Sequence, residues 1–287
     1  EKFNDPYNKF VGHDKQREFL FSNKRVIAMV GANRSGKSEV NAFLAASVAR
    51  REHPLIRLPD GGGIIWLVAL TEKMLKNISW AKLRRYLPDS MIAEKIERPG
   101  IYWIRMKSGA QVFGMYCKAG ADKFQGEACD LIAFDEEPPE DVYKECLARL
   151  VDRDGVMTFS MTPIKGSVWF YRQVYKSKSP DVHVIKVGMR DNPYMKEERI
   201  KRLEARYREK GCDALGRGLG LEPVEEGLAS LGQNERQAQL FGHGEAERCH
   251  VKPPEHTARV GRVVHRKAFF SGSLHSPSPR RAPPQNG

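Results

Sequence analysis

Apolar residues in this chain gather into short runs that stop abruptly at glycine, carboxylate or hydroxyl side chains. Arg25–Val30 ends at Gly31, Leu131–Phe134 ends at Asp135-Glu136-Glu137, and Val156–Ser160 leads into Met161-Thr162-Pro163. Short apolar runs bounded in this way predict strands buried on both faces of a parallel sheet. Strands are also expected near Ile64–Ala69 and Val182–Val187. Ile101–Met106 and Ala110–Met115 instead alternate in polarity, which predicts a hairpin across Lys107-Ser108-Gly109. Helices are expected over about 13–23, the Ala-rich Glu39–Arg50, Asn77–Tyr86, Glu140–Leu150, Val168–Tyr175 and Lys196–Glu209. Strands alternating with helices argue for an α/β fold, a mostly parallel sheet with helices on both faces, over residues 1–210. A segment of that length can bury a substantial single core.

Gly31-Ala32-Asn33-Arg34-Ser35-Gly36-Lys37-Ser38 fits the phosphate-binding loop G-x-x-x-x-G-K-[ST] at every fixed position. The strand before it and the helix after it supply the context that the chemistry needs. Unpaired N–H groups and the helix dipole favour an anion at the helix N-terminus. Gly31 and Gly36 allow backbone angles that turn several N–H groups toward phosphates. Lys37 supplies a point charge for the β and γ phosphates, and Ser38 a hydroxyl for Mg²⁺. The plainer alternative is a glycine-rich turn with an incidental Lys-Ser.

Two further strand ends carry candidate chemistry. Carboxylates at the C-terminal end of a parallel strand lie where ligands bind in open α/β sheets. Asp135 can hold Mg²⁺ through water, and Glu136 can orient and deprotonate the water that attacks the γ phosphate. Glu137 could exchange roles with Glu136. Ser160 and Thr162 place hydroxyls at a third strand tip, where one could sense the γ phosphate or the attacking water; an ordinary strand end stopped by Pro163 is the alternative.

In this order the pieces resemble the large terminase subunit of tailed bacteriophages, an ATP-driven motor that packages DNA into procapsids. The resemblance runs from about Phe10 to about Gly227. Phe10, His13, Gln16 and Phe19 look like the family's N-terminal glutamine motif, which implies that Gln16 contacts adenine; a solvated helix residue is its alternative. Arg34 matches an arginine that many terminases place inside the loop. Lys123-Phe124-Gln125-Gly126, Asp135-Glu136-Glu137-Pro138-Pro139 and Asp191-Asn192-Pro193-Tyr194 are also similar to family segments. Ser160-Met161-Thr162-Pro163-Ile164-Lys165-Gly166 resembles the coupling motif that links hydrolysis to movement.

The resemblance implies the additional-strand branch of the phosphate-loop NTPases, in which the loop strand and the acidic strand are not neighbours. It implies ATP with Mg²⁺ on Ser38 and Asp135, and phosphates held by Gly31, Asn33, Arg34, Ser35, Gly36, Lys37 and Ser38. Glu136 is then the base. Arg34, or an arginine from a neighbouring subunit such as Arg149, stabilises the developing charge, and Ser160 and Thr162 couple hydrolysis to motion. The implied partners are double-stranded DNA, the portal protein, the small terminase subunit and further copies of the chain in a ring on the procapsid. The implied place is the host cytoplasm.

The formal net charge of +12 fits an anionic polymer as partner. Lys82, Arg84, Arg85 and the run Arg199-Ile200-Lys201-Arg202 are candidate phosphate contacts, with solvated helix faces as the alternative. Five cysteines without regular spacing argue against a disulfide framework or a zinc site, and suit a reducing compartment. No signal peptide and no membrane-spanning apolar run are visible. The chain begins with Glu rather than Met, so an incomplete N-terminus is expected.

Patterning fades near Gly227. Residues 211–227 resemble the family's linker toward a metal-dependent nuclease, but residues 228–287 are rich in Gln, Gly, His, Arg, Ser and Pro and contain no aspartate. A poorly structured basic tail without nuclease activity is therefore expected, as after a frameshift or truncation. Two other readings remain at this point. One is a remnant that binds nucleotide without packaging. The other is another nucleic-acid motor such as a helicase, for whose second domain the chain is short.

Overall fold

The computed structural model describes residues 5–162 and 168–209. Within them the strands are β1 (Val26–Gly31), β2 (Ile64–Ala69), β3 (Ile92–Arg98), β4 (Ile101–Met106), β5 (Gln111–Tyr116), β6 (Leu131–Asp135), β7 (Val156–Met161) and β8 (Val182–Val187). They form one eight-stranded sheet in the order β3-β4-β5-β2-β6-β7-β1-β8. From β5 to β8 across the sheet every neighbouring pair is parallel. At the other edge β3, β4 and β5 form an antiparallel meander. The expected hairpin is therefore present, but β3 extends it. β7 lies between β1 and β6, so the loop strand and the acidic strand are separated by one strand, as the resemblance implied.

The alternation of side chains along each strand builds two cores. Ile27 and Met29 of β1 and Leu131 and Ala133 of β6 face one layer. There they meet α1 (Asp14–Leu20), α2 (Lys37–Ala49) and a longer helix assembled from α3 (Glu72–Met74), a π-helical stretch (Leu75–Trp80) and α4 (Ala81–Tyr86). Ala28, Val30, Ile132, Phe134, Met157 and Phe159 face the opposite layer. That layer is closed by α5 (Glu140–Val151) and by α6 (Val168–Phe170) with its π-helical continuation Tyr171–Tyr175. Helices thus cover both faces, which explains why the central strands are apolar on both sides. After β8, α7 (Glu197–Glu209) is the last described element.

Two polar side chains fix α2 to the sheet beneath it. Asn41 Nδ2 donates to the Phe134 carbonyl at 2.9 Å, and Thr158 Oγ1 donates to Asn41 Oδ1 at 2.7 Å. Both side chains are buried. The helix that follows the loop is thereby registered against β6 and β7, the two strands whose tips carry the other candidate groups. The N-terminal segment is held as firmly. Phe10 stacks on Phe43 with ring centroids 4.0 Å apart, and Arg50 lies 4.1 Å over the Tyr7 ring while its Nη2 donates to Asp5 at 2.8 Å. Expectations for residues 211–227, for the tail at 228–287 and for Pro163–Gly166 fall outside the described residues.

Candidate functional site

The tips of β1, β6 and β7 meet at one end of the sheet. β1 ends at Gly31, whose φ is +153°, and a Cβ there would lie 1.9 Å from the Val187 carbonyl oxygen of β8. Only glycine allows that approach, so the chain can leave β1 and turn under its neighbour. The turn is closed from within. Ser35 Oγ donates to the Ala32 carbonyl at 2.8 Å, and Arg34 sits in the left-handed region at φ +68°. Gly36, at φ +92°, is the N-cap of α2, so the loop delivers its N–H groups at a helix start.

Lys37 opens α2 and folds back over the loop. Its Nζ donates to the Gly31 carbonyl at 2.9 Å and the Ala32 carbonyl at 2.5 Å. Burial pushes its ammonium down to about 8, and the nearby Glu136 and Asp135 carboxylates pull the other way. Glu136 is pushed up from the ordinary carboxylate range. Burial is the main cause, Asp135 adds to it, and the Thr162 N–H and the Lys37 charge oppose it. These two groups sense each other across the gap between the β1 and β6 tips, which makes them a paired acid–base environment of the kind found at functional sites.

Glu136 itself has φ +80°, a conformation that costs a non-glycine residue energy and persists only when its surroundings fix it. Two bonds to the next strand end do so. Its N–H donates to the Ser160 carbonyl at 2.9 Å, and its Oε2 accepts from the Thr162 N–H at 3.1 Å. Thr162 Oγ1 in turn donates to Asn33 Oδ1 of the loop at 3.1 Å. Asn33, Thr162 and Glu136 therefore form one connected unit spanning the tips of β1, β7 and β6.

Asp135 lies beneath this unit, 4% exposed. Ser79 Oγ donates to its Oδ2 at 2.7 Å and Ser160 Oγ to its Oδ1 at 2.9 Å. The two hydroxyls expected at the β7 tip thus have different places. Ser160 is fully buried against Asp135, whereas Thr162 reaches the cleft.

A cleft of about 1120 Å³ opens over these groups. Asn33, Arg34, Gly36, Lys37, Ser38, Glu136 and Thr162 all line it, and so does Gln16 from α1. Glu137 is not among its lining residues, which separates it from Glu136. Gln16 is 4% exposed, and both ends of its amide are engaged. Its Nε2 donates to the Gly36 carbonyl and its Oε1 accepts from the His13 N–H, each at 3.1 Å. Of the two phenylalanines grouped with it in the sequence, Phe19 is fully buried, while Phe10 stacks on Phe43 and also lines the cleft. Among the described residues no group of three or more His, Cys, Asp or Glu could enclose a metal ion.

The basic candidates divide. Lys82 lines the cleft on the side of α4. Arg85 lines it too and pairs there with Glu39, whereas Arg84 is turned to Asp89 and Glu97. Arg199 and Arg202 join Lys196 and Arg34 around a second cavity of about 650 Å³. Arg149 turns back into its own subunit, with Nη1 donating to the Gly126 carbonyl at 2.8 Å and Nη2 3.9 Å from Glu145. Cys117, Cys129 and Cys146 are free and buried. No helix among the described residues is long and apolar enough to cross a membrane.

The sequence alone did not reveal Ser79, Asn41 or the contact of α1 with the loop. Ser79 faces Asp135 from the π-helical stretch, where helical spacing is broken. Asn41 did leave a trace, an amide within an otherwise Ala-rich buried face.

Residues 28–222 match the family model for the terminase large subunit, T4-like-virus type, N-terminal part. No curated protein matches the sequence significantly. Among solved structures, the large terminase of a thermophilic bacteriophage superposes with a TM-score of 0.60 at 18% identity, over 73% of this chain and 53% of that one. That protein has also been solved in complex with ATP-gamma-S. The ATPase domain of the Thermus phage P74-26 large terminase gives 0.55 at 17% identity, over 77% of this chain and 98% of that domain. The HK97 bacteriophage large terminase gives 0.57 at 13% identity, over 73% of this chain and 50% of that one. The chain thus spans about half the length of the full-length terminases it matches and nearly all of an isolated ATPase domain. With the family model covering well over half of its length, this chain belongs to the terminase large subunit family, in the family's N-terminal part.

Proposed function

We propose that the cleft binds ATP with Mg²⁺ and hydrolyses it, and that hydrolysis drives double-stranded DNA into a procapsid. The observation that carries this reading is the unit Asn33–Thr162–Glu136, which fixes a carboxylate of raised pKa at the mouth of a phosphate loop. The triphosphate lies against the N–H groups from Asn33 to Ser38, with the Lys37 ammonium on the β and γ phosphates. Ser38 on the cleft wall would offer Mg²⁺ an oxygen donor, and Asp135, which lies behind the wall with its two oxygens bonded by Ser79 and Ser160, would reach the ion through water; the ion would supply charge neutralisation for the phosphates. Glu136, pushed up by burial, accepts a proton from the attacking water. Arg34 stands on the cleft wall to stabilise charge that develops at the γ phosphate. Loss of the γ phosphate relaxes Asn33 and Thr162 together, because one bond joins them. Thr162 passes this on to the segment after β7, while Ser160 keeps Asp135 in place.

Further copies in a ring, a portal protein and a small terminase subunit are the partners this role requires, in the host cytoplasm and on the procapsid. No nuclease step is assigned to this chain. The test is hydrolysis by the full chain without nucleic acid, with single-stranded DNA and with double-stranded DNA. Stimulation by the duplex above the single strand is expected. Hydrolysis indifferent to DNA would refute translocation and leave a nucleotide-binding remnant. Preference for the single strand would point to a helicase-like motor.

A further inference from the structure

The walls of the cleft carry more positive than negative charge. Lys9, Arg34, Lys37, Lys82 and Arg85 line it against Glu39 and Glu136. Two of these cations are already matched. Glu39 Oε1 accepts from Arg85 Nη1 at 2.8 Å and from the Tyr86 hydroxyl at 2.5 Å, and the Glu136 and Asp135 carboxylates lie near Lys37. Lys82 differs from both. Its side chain is half-buried in the cleft wall, and its ammonium makes no hydrogen bond or ion pair with any of the described residues.

The helix that carries Lys82 is anchored on either side of it. Three residues earlier, Ser79 Oγ donates to Asp135 Oδ2 at 2.7 Å. Three and four residues later, Arg85 and Tyr86 hold Glu39 in the first turn of α2. Ile78, Lys82, Arg85 and Tyr86 recur at helical spacing and all line the cleft, so one face of this helix looks across it toward the phosphate loop. Lys82 is near enough to Lys37 to disfavour the charge there. Two ammonium groups on opposite walls repel each other, and the arrangement becomes favourable once an anion lies between them. A cleft of about 1120 Å³ suits a nucleotide rather than a duplex.

We infer that Lys82 is a further phosphate-binding residue, which holds the phosphate chain of the nucleotide from the α4 side, opposite the loop. This inference rests on the nucleotide site proposed above and adds to it a second lysine, on an element that the phosphate-loop pattern does not reach. The loop N–H groups and Lys37 take one side of the chain. Lys82 supplies a point charge to the other, on a flexible stem that can follow a phosphate oxygen.

The experiment measures equilibrium binding of ATP and of inorganic tripolyphosphate, each with Mg²⁺, and of double-stranded DNA without nucleotide, to the full chain and to Lys82→Met. Methionine keeps an apolar stem and removes the charge. Loss of one charged contact is expected to weaken ATP and tripolyphosphate by a similar factor, about tenfold. Duplex binding should stay within about twofold, the scatter of independent effects. Lys82→Gln provides the same comparison if Lys82→Met does not fold. A loss confined to ATP would place Lys82 against the nucleoside and overturn the inference. Unchanged affinity for both ligands would overturn it too, and a loss of duplex binding in the same variant would then assign Lys82 to DNA. Duplex binding reduced by the same factor as the other two would mark general damage and also overturn it. Wild-type protein that binds ATP but not tripolyphosphate would show that the cleft does not grip phosphates by its cations, with the same consequence. Wild-type protein that binds neither would overturn the nucleotide site itself, whereas wild-type binding of both with Lys82→Met unaffected removes this inference alone.

Discussion

Glu136→Gln removes a charge and leaves the shape. The glutamine amide oxygen can still accept the Thr162 N–H that now meets Glu136 Oε2 at 3.1 Å, and the backbone at φ +80° is unaffected. A buried carboxylate whose pKa is pushed up is one that its surroundings disfavour as an anion, so the neutral amide should fold at least as stably. Removing a positioned general base typically lowers turnover by about 10²–10⁴-fold. That corresponds to about 3–5 kcal/mol of transition-state stabilisation. ATP affinity should hold or rise, since an anion facing the γ phosphate is gone. Lys37 also loses its nearest anionic support, so its ammonium should titrate lower than about 8. The assay is phosphate release at saturating Mg²⁺-ATP, paired with equilibrium binding of ATP. Glu137→Gln, at a residue that does not line the cleft, is the control and should retain turnover. Turnover of Glu136→Gln within tenfold of wild type, or a collapse of the Glu137→Gln control instead, would refute the assignment.

Phosphate binding needs Lys37 charged, and burial holds its pKa near 8 rather than at the ordinary 10.5. ATP affinity should therefore be full below that pH and fall about tenfold between pH 7 and 9, where an ordinary lysine would give no change; a flat titration would contradict it. Glu136 must be ionised to accept a proton, so its raised pKa places the acid limb of turnover above the range of an ordinary glutamate, as a pH–rate profile would show. Asn41→Leu breaks the bond to Phe134 and strands the Thr158 hydroxyl, which should cost about 2–4 kcal/mol in urea unfolding. A shift below about 0.5 kcal/mol, the level of a neutral surface change, would show that this link is not stabilising. Ser79→Ala leaves Asp135 with Ser160 as its remaining hydroxyl donor and should cost about 1.5–3 kcal/mol by the same method.

What the sequence disclosed depended on how each element is buried. β1, β2, β6 and β7 were legible because strands covered on both faces must be apolar runs, β8 because its β-branched residues recur along a half-buried edge strand, and the phosphate loop because its glycines and lysine have fixed spacing. β3 was missed: Ile92–Arg98 is an edge strand exposed along most of its length, so its residues carry no inward–outward alternation. The π-helical stretch at Leu75–Trp80 was read as ordinary helix from Asn77 onward because nothing local marks where a turn widens, and Ser79 went unnoticed with it. Strand order was not legible from periodicity; family resemblance implied only that β1 and β6 are not neighbours, and the fold places β7 between them. The different places of Ser160 and Thr162 were equally hidden, since two hydroxyls at one strand tip look alike until the pleat turns one inward and the strand ends at the other. Gln16 was noticed for its amide, but its partner is a loop carbonyl about twenty residues away, a contact that only the folded chain supplies.

The central claim is that the tips of β1, β6 and β7 form a site that hydrolyses ATP. Its most direct test is steady-state phosphate release from Mg²⁺-ATP by the full chain beside Lys37→Ala, with both proteins shown to be folded. Turnover by the wild type that disappears in Lys37→Ala is the predicted result. Equal rates in the two proteins, or a folded wild type that releases no phosphate with or without double-stranded DNA, would contradict the account.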